Sequence, residues 1–165
     1  MCKKALKSLD RALTRKEMKL EVVRLQKAGK KVVFTNGCFD LLHLGHVNLL
    51  KKAKSMGDVL IVAINSDKSL RFLKGPKRPL VGEKDRAKFI LSLKPVDYVV
   101  VFNEYTPEKI LREIRPDILV KGGDYKLSEI IGREFVKKVY RSPCVRGKST
   151  MTLINLIVER YGSGK

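Results

Sequence analysis

Tryptophan is absent from this sequence, histidine occurs only twice and cysteine three times. Cys2, Cys38 and Cys144 are odd in number and far apart, with no C-x-x-C pair. That pattern excludes a disulfide framework and the usual zinc spacings, so three reduced thiols are expected. Long apolar runs are also missing, and none approaches the roughly 18 residues that a membrane-spanning helix needs. The stretch Met1 to Leu13 carries Lys and Arg without a continuous apolar segment behind them, so it does not read as a secretory signal. The expectation is a cytoplasmic protein with no membrane partner. Gly and Pro are ordinary in number and 44% of the residues are hydrophobic, which excludes wholesale disorder. At 165 residues the chain suits one compact domain.

Acidic residues are the minority among the charges, 17 against 36 Lys and Arg, and the formal net charge is +19. Nucleic acid is the first partner such a charge suggests, because Lys and Arg release counterions from phosphate. The chain nevertheless lacks zinc-finger spacing and any run of aromatics interleaved with basic residues. Its positive charge is dispersed and mixed with acids, as in Glu83-Lys84-Asp85-Arg86. A solvated basic surface plus a site for anionic small molecules is therefore expected, and nucleic acid is not the expected partner. A basic RNA- or DNA-binding protein on the same scaffold stands as the non-enzymatic alternative.

What is present alternates regularly. Thr14-Arg15-Lys16-Glu17 fits a capping box, followed by Met18, Val22 and Leu25 at helical spacing and Gly29 at the end. Lys31 to Asn36 reads as a strand, Gly45 to Met56 as a helix, and Asp58 to Asn65 as an apolar strand buried on both faces. The basic loop Lys74-Gly75-Pro76-Lys77-Arg78-Pro79 follows, then a helix near Glu83 to Leu93 and a strand from Tyr98 to Phe102. Thr106-Pro107-Glu108 starts another helix, and Ile118-Leu119-Val120 is a fourth strand. Ser128 to Lys138 is read as a helix, Val139 to Val145 as a short strand, and Ser149 or Thr150 opens a final helix through Arg160. The fold class is thus α/β, a Rossmann-like parallel sheet of about five strands with helices on both faces. Ligands in such sheets bind beyond the carboxyl ends of the strands.

The chain's two histidines, His43 and His46, fall within four positions of each other, after a strand and at a helix start. Backbone N–H groups there attract an anion, Gly45 lets a phosphate approach the main chain, and the imidazoles supply donors. Zinc at the same pair would need a third ligand, for which Asp40 is the one obvious neighbour. No metal-ligand set is therefore assigned to the protein itself. Gly147-Lys148-Ser149-Thr150 precedes a helix and is a second seat for phosphate. Its Gly-Lys-Ser-Thr is not a P-loop, because the position for the first glycine is Ser142.

The segment Thr35-Asn36-Gly37-Cys38-Phe39-Asp40-Leu41-Leu42-His43-Leu44-Gly45-His46 resembles the H-x-G-H signature of the cytidylyltransferase-like nucleotidyltransferases. Its Asn-Gly-Cys-Phe-Asp form is similar to the heptose 1-phosphate adenylyltransferases, the RfaE or HldE C-terminal-domain type. Asn65-Ser66-Asp67, the Lys74 to Pro79 loop, Asp85-Arg86 and Lys121-Gly122-Gly123-Asp124-Tyr125 extend the likeness over roughly residues 20–160. The resemblance implies a basic helical lead-in at 1–29 and a nucleotidyltransferase domain at 30–162.

It implies transfer of AMP from ATP to a heptose 1-phosphate by direct in-line attack on the α-phosphate, giving ADP-heptose and pyrophosphate, with Mg2+ accompanying ATP. His43, His46 and Lys74 would be catalytic. Nucleotide binding would fall to Asn36, Gly37, Cys38, Phe39, Asp40, Gly45, Asn65, Asp67, Arg78, Arg86, Lys121, Gly122, Gly123, Asp124, Ser149 and Thr150. In many relatives this domain is fused to a sugar kinase, and here a separate upstream kinase is expected. Homo-oligomers are a further expectation, with the helix before the first strand as a candidate interface. Two departures bear on the acceptor: Met151 replaces a Thr of the family's Gly-x-Ser-Thr-Thr pattern, and the stretch from Phe135 to Gly147 lacks its Gly-Gly turn. CTP with glycerol phosphate or a related alcohol phosphate, or ATP with flavin mononucleotide, are the enzymatic alternatives.

Overall fold

Thr14 caps the first helix as its capping box predicts: its hydroxyl accepts from the Glu17 N–H at 3.3 Å, and the Glu17 carboxylate accepts from the Thr14 N–H at 2.8 Å. In the computed structural model, which describes residues 12–123, 126–143, 145 and 147–162, α1 runs Arg15–Lys27 and buries Met18, Val22 and Leu25 along one stripe. There follow β1 (Val32–Gly37), α2 (Leu44–Lys54), β2 (Val59–Asn65), α3 (Asp67–Lys74), α4 (Glu83–Ser92), β3 (Tyr98–Phe102), α5 (Glu108–Ile114), β4 (Ile118–Gly122), β5 (Lys138–Ser142) and α6 (Thr150–Tyr161).

The five strands form one parallel sheet in the order β3-β2-β1-β4-β5. All seven residues of β2 are buried, as an unbroken apolar run between two layers requires. Alternate residues serve opposite faces. Val32, Phe34, Ile61 and Ala63 pack with α1 and α5 through Met18, Val22, Ile110 and Leu111. Val33, Leu60, Val62 and Ile64 pack with α2 and α4 through Leu50, Ala53, Ala87 and Ile90.

Two expectations are corrected. The helix read over Ser128 to Lys138 is instead two single 3-10 turns, Leu127–Glu129 and Arg133–Phe135. Gly132 between them sits at φ 88°, the left-handed region that ends a helix, and a Cβ there would lie 2.3 Å from a Leu111 methyl carbon. Conversely, α3 forms where the sequence pattern predicts only a strand end and a loop. The Ser66 hydroxyl caps it by accepting from the Ser69 N–H at 3.2 Å.

The sheet's two ends differ in charge. At the amino end, aspartates complete the strand starts: Asp58 accepts from the Lys31 N–H, Asp97 from the Leu60 N–H and Asp117 from the Val32 N–H. At the carboxyl end, Asp40 and Asp67 are each paired with an arginine. Lys121 at the end of β4, and Lys74, close enough to act on the Cys38 thiol, add positive charge at this end.

Candidate active site

β1 lies at the centre of the sheet, with β2 on one side and β4 on the other. The connection from β1 runs to β2 and the one from β4 runs to β5 on the opposite side, which opens a crevice between the carboxyl ends of β1 and β4. The chain turns out of β1 through Phe39, held at φ 47° and only 2% exposed. Gly37 permits that turn, since a Cβ on it would meet the Phe39 ring at 3.0 Å. The Phe39 ring then lies 4.9 Å from that of His46, centroid to centroid.

His43 is the N-cap residue of α2, in extended backbone, and its side chain makes no capping hydrogen bond. It stacks on His46 instead, with ring centroids 3.8 Å apart and planes inclined by 28°. Burial lowers the pKa of both rings, and burial with the neighbouring His43 takes His46 down to about 4. Both imidazoles are therefore neutral near pH 7. The Nδ1 atom of each is buried with no hydrogen-bond partner in the protein. Two unpartnered ring nitrogens beside an uncapped helix start constitute unfilled hydrogen-bonding capacity.

Gly45 keeps this corner open. A Cβ on it would stand 3.0 Å from the His43 ring and 3.4 Å from the carbonyl oxygen of Lys148. That second distance brings the turn before α6 over the histidine pair, although a hundred residues separate them in sequence. Ser149 caps α6 through its hydroxyl, which accepts from the Thr152 N–H at 3.0 Å. Two helix N-termini, those of α2 and α6, thus approach the same crevice.

Lys121, at the end of β4, donates from Nζ to the Asn36 side-chain oxygen at the end of β1, 2.9 Å away. Burial lowers its pKa, opposed by the Cys38 sulfur. Gly122 lies beneath Leu49, where a Cβ would come within 3.1 Å, and the Gly123 N–H donates to the Ser142 carbonyl. Asp124 lies outside the described residues.

Several sequence candidates are built into the walls rather than presented to the crevice. Arg86 is fully buried: Nη1 donates to the Cys38 carbonyl at 2.6 Å, Nε to the Val81 carbonyl at 2.9 Å, and Nη2 to Asp67 at 2.6 Å. Asp40 accepts from the Leu80 and Val81 N–H groups, both at 2.9 Å, and from Arg78. Burial alone would raise its pKa, but those three donors hold it below the ordinary carboxylate range. Asn65 is buried and donates to the Ser69 hydroxyl at 2.9 Å. The Cys38 thiol is pushed up by burial against the opposing pull of Lys74, Arg86 and Arg78. Lys74 itself is exposed at the end of α3.

The roles of Ser69, Leu80, Val81 and the Lys148 carbonyl were not singled out in the sequence. Leu80, Val81 and Lys148 act through main-chain groups that distant segments bring to the site, and Ser69 joins the Asn65 side chain to the Glu104 carbonyl 35 residues away. Among the described residues no group of three or more His, Cys, Asp or Glu converges as a metal site. No helix among them is long and apolar enough to cross a membrane.

The cytidylyltransferase-like family model matches residues 34–159. A bifunctional protein HldE from a Nitratiruptor species is 53% identical over 138 residues, which is 84% of this chain and 30% of the relative. The HldE of Helicobacter pylori is 56% identical over 128 residues, 78% of this chain and 28% of the relative. This chain therefore spans a little under a third of the length of those relatives. Among solved structures, a lipopolysaccharide core biosynthesis protein from Thermoplasma volcanium superposes with a TM-score of 0.61 at 33% identity, covering 71% of this chain and 99% of that one. A pantoate-beta-alanine ligase from Francisella tularensis shares the fold, with a TM-score of 0.54 at 17% identity, over 82% of this chain and 68% of that one.

Proposed function

The chain belongs to the cytidylyltransferase-like family, and from that premise we propose that it transfers AMP from ATP to a heptose 1-phosphate, releasing pyrophosphate and leaving ADP-heptose. The observation that carries this reading is the His43–His46 stack at the start of α2, with the turn before α6 brought over it at Gly45. The relatives named HldE and the lipopolysaccharide core biosynthesis protein support the sugar-phosphate acceptor.

In the proposed reaction an oxygen of the acceptor phosphate forms a bond to the α-phosphorus. The bond from that phosphorus to the bridging oxygen of the β-phosphate breaks, and the electron pair leaves with pyrophosphate. No enzyme nucleophile takes part, so the protein acts by positioning and by stabilising charge. His43 and His46, neutral and unpartnered at Nδ1, donate to phosphoryl oxygens, with His46 assigned to charge developing at the α-phosphate. The α2 and α6 N-termini direct their dipoles to the same anion. Lys121, oriented by Asn36, and Lys74 at the rim supply positive charge around it. Asp40, Asp67, Arg78 and Arg86 hold the walls in register by pairing with each other and with main-chain groups.

Mg2+ would enter with ATP. Asp40, the carboxylate of the loop after β1, is filled by three donors, and the described residues hold no converging ligand set. Held by the triphosphate it accompanies, the ion would neutralise part of that group's negative charge. The acceptor's phosphate must come from a reaction that phosphorylates a sugar at its anomeric hydroxyl, the work of a sugar kinase upstream.

Pyrophosphate release, measured with each of the four nucleoside triphosphates against a panel of sugar and alcohol phosphates, tests the reading. ATP with a heptose 1-phosphate is the expected pair. Activity confined to CTP with glycerol phosphate would overturn the substrate assignment. A His46→Ala variant should lose roughly 100- to 1,000-fold in turnover, and near-normal turnover would overturn the mechanism.

A further inference from the structure

The two walls of the crevice between β1 and β4 differ in chemistry. Side chains alternate across a strand, so Asn36, two residues beyond Phe34, lies on the same sheet face as Phe34. Lys121, two residues beyond Leu119, lies on the same face as Leu119. Phe34 and Leu119 both belong to the layer packed with α1 and α5. The histidines sit at the start of α2, which packs on the opposite face through Leu50 and Ala53. The turn before α6 comes to that second wall as well, at Gly45. One wall thus carries two helix N-termini and two imidazoles, and the other an ammonium and a carboxamide.

Lys121 is held without a counterion. Its Nζ donates to the neutral Asn36 side-chain oxygen at 2.9 Å, and among the described residues no carboxylate forms an ion pair with it. Asp40 and Asp67, the carboxylates at this end of the sheet, are committed to Arg78 and Arg86. Burial disfavours the charged form of Lys121, so the ammonium gains most when an anion reaches it. The Asn36 amide group has no acceptor among the described residues.

We propose that Lys121, oriented by Asn36, seats the phosphate of the acceptor rather than any phosphate of the nucleotide, and that the Asn36 amide donates to a hydroxyl beside that phosphate. An in-line displacement puts the attacking and leaving oxygens on opposite sides of the α-phosphorus. Pyrophosphate, the more highly charged group, belongs with the two helix N-termini on the α2 wall. The entering phosphate then comes from the opposite wall, where Lys121 offsets its repulsion from the triphosphate. An ammonium beside a carboxamide donor suits a phosphate carried on a polyhydroxylated carbon frame. The assignment rests on the nucleotidyl-transfer reading for its geometry, and it holds for either base and for any sugar or polyol phosphate.

Three measurements on the full chain test it. Calorimetry without acceptor gives the affinity for ATP. Pyrophosphate release gives the acceptor KM, with whichever substrate pair the wild type uses. Phosphorus NMR follows inorganic phosphate titrated onto the chain saturated with α,β-methylene ATP, whose carbon bridge cannot be cleaved. Lys121→Met removes a charged hydrogen bond, so the acceptor KM should rise roughly 10- to 100-fold. The Kd for ATP should stay within about threefold, less than one kcal/mol by the same conversion. Inorganic phosphate should bind the analogue-loaded wild type and not the variant. Asn36→Asp supplies a carboxylate that neutralises the ammonium and should reproduce both effects, whereas Lys52→Met, at an exposed position on α2, should produce neither. A Kd for ATP raised more than about tenfold in either Lys121→Met or Asn36→Asp would put the lysine on the nucleotide and overturn the assignment. So would undiminished phosphate binding in Lys121→Met. If the wild type transfers no nucleotide to any acceptor but still binds phosphate through Lys121, the functional reading falls and the phosphate seat stands.

Discussion

Replacing Arg86 separates a wall residue from a ligand-binding one. The guanidinium is fully buried and bonds three segments: the turn after β1 through Cys38, the loop before α4 through Val81, and the start of α3 through Asp67. Arg86→Met keeps most of the volume but leaves two carbonyls without their donors, each at about 1–3 kcal/mol. The Asp67 arm counts for less, because that carboxylate is 33% exposed and water can replace the arginine. Arg86→Ala loses the same donors and adds a cavity, so its cost is about 3–5 kcal/mol, at the upper end for a single substitution. For a domain of this size each kcal/mol moves the melting temperature by about 2–4 °C, giving a fall of roughly 6–20 °C. Differential scanning fluorimetry and urea denaturation at pH 7.5 measure it, with ATP affinity determined by calorimetry on the same samples. If Arg86→Ala melted within 2 °C of wild type and lost only ATP affinity, the arginine would be a nucleotide ligand and the reasoning would be refuted.

Stability should also depend on pH through the histidine pair. The folded value of His46, about 4, lies below its ordinary 6.5, so the unfolded chain takes up the proton first as pH falls. The contribution is intact above about pH 6.5 and declines toward pH 4, with a slope of at most about 1.4 kcal/mol per pH unit for one proton. Urea midpoints at pH 7 and 5 should differ in wild type and converge in His46→Gln, and equal wild-type midpoints would contradict the burial of a neutral ring. Gly45→Ala should leave the melting temperature near wild type, because alanine favours the helix by about 1 kcal/mol. Its new Cβ at 3.0 Å from the His43 ring should still cut turnover more than tenfold, and normal kcat in steady-state assays would show that the ring is free to move. Asp40→Asn offers one acceptor where three donors converge and strands Arg78, which should cost about 3 kcal/mol in denaturant titrations. An unchanged urea midpoint would show that the 78–81 loop does not depend on this anchor.

The layers of the fold were legible because local rules and burial agree. β2 is apolar at every position since both its faces are covered, and Thr14 with Glu17 announces the start of α1 through groups three residues apart. His43-Leu44-Gly45-His46 stood out for the same reason, as the histidines, the glycine and the helix start are neighbours along the chain. The crossover from β4 to β5 was misread because Ser128 to Lys138 has the composition of a helix. Leu111 from α5, packed against Gly132, makes the backbone turn where that helix would have continued.

The sequence by itself determined the alternation of strands and helices, the parallel sheet, and the gathering of both histidines at the helix start that follows β1, because these follow from periodicity and from residues close in the chain. Tertiary structure alone decided which charged residues at that end of the sheet are taken up by partners. Arg86, Arg78, Asp40 and Asp67 look like binding groups as letters, yet they are paired into the walls by partners 19 to 48 residues away. Folding also brought Lys148 to Gly45 and Lys121 to Asn36. Pattern cannot supply these choices, since a charge reveals its role only when its hydrogen-bond partners and its burial are known.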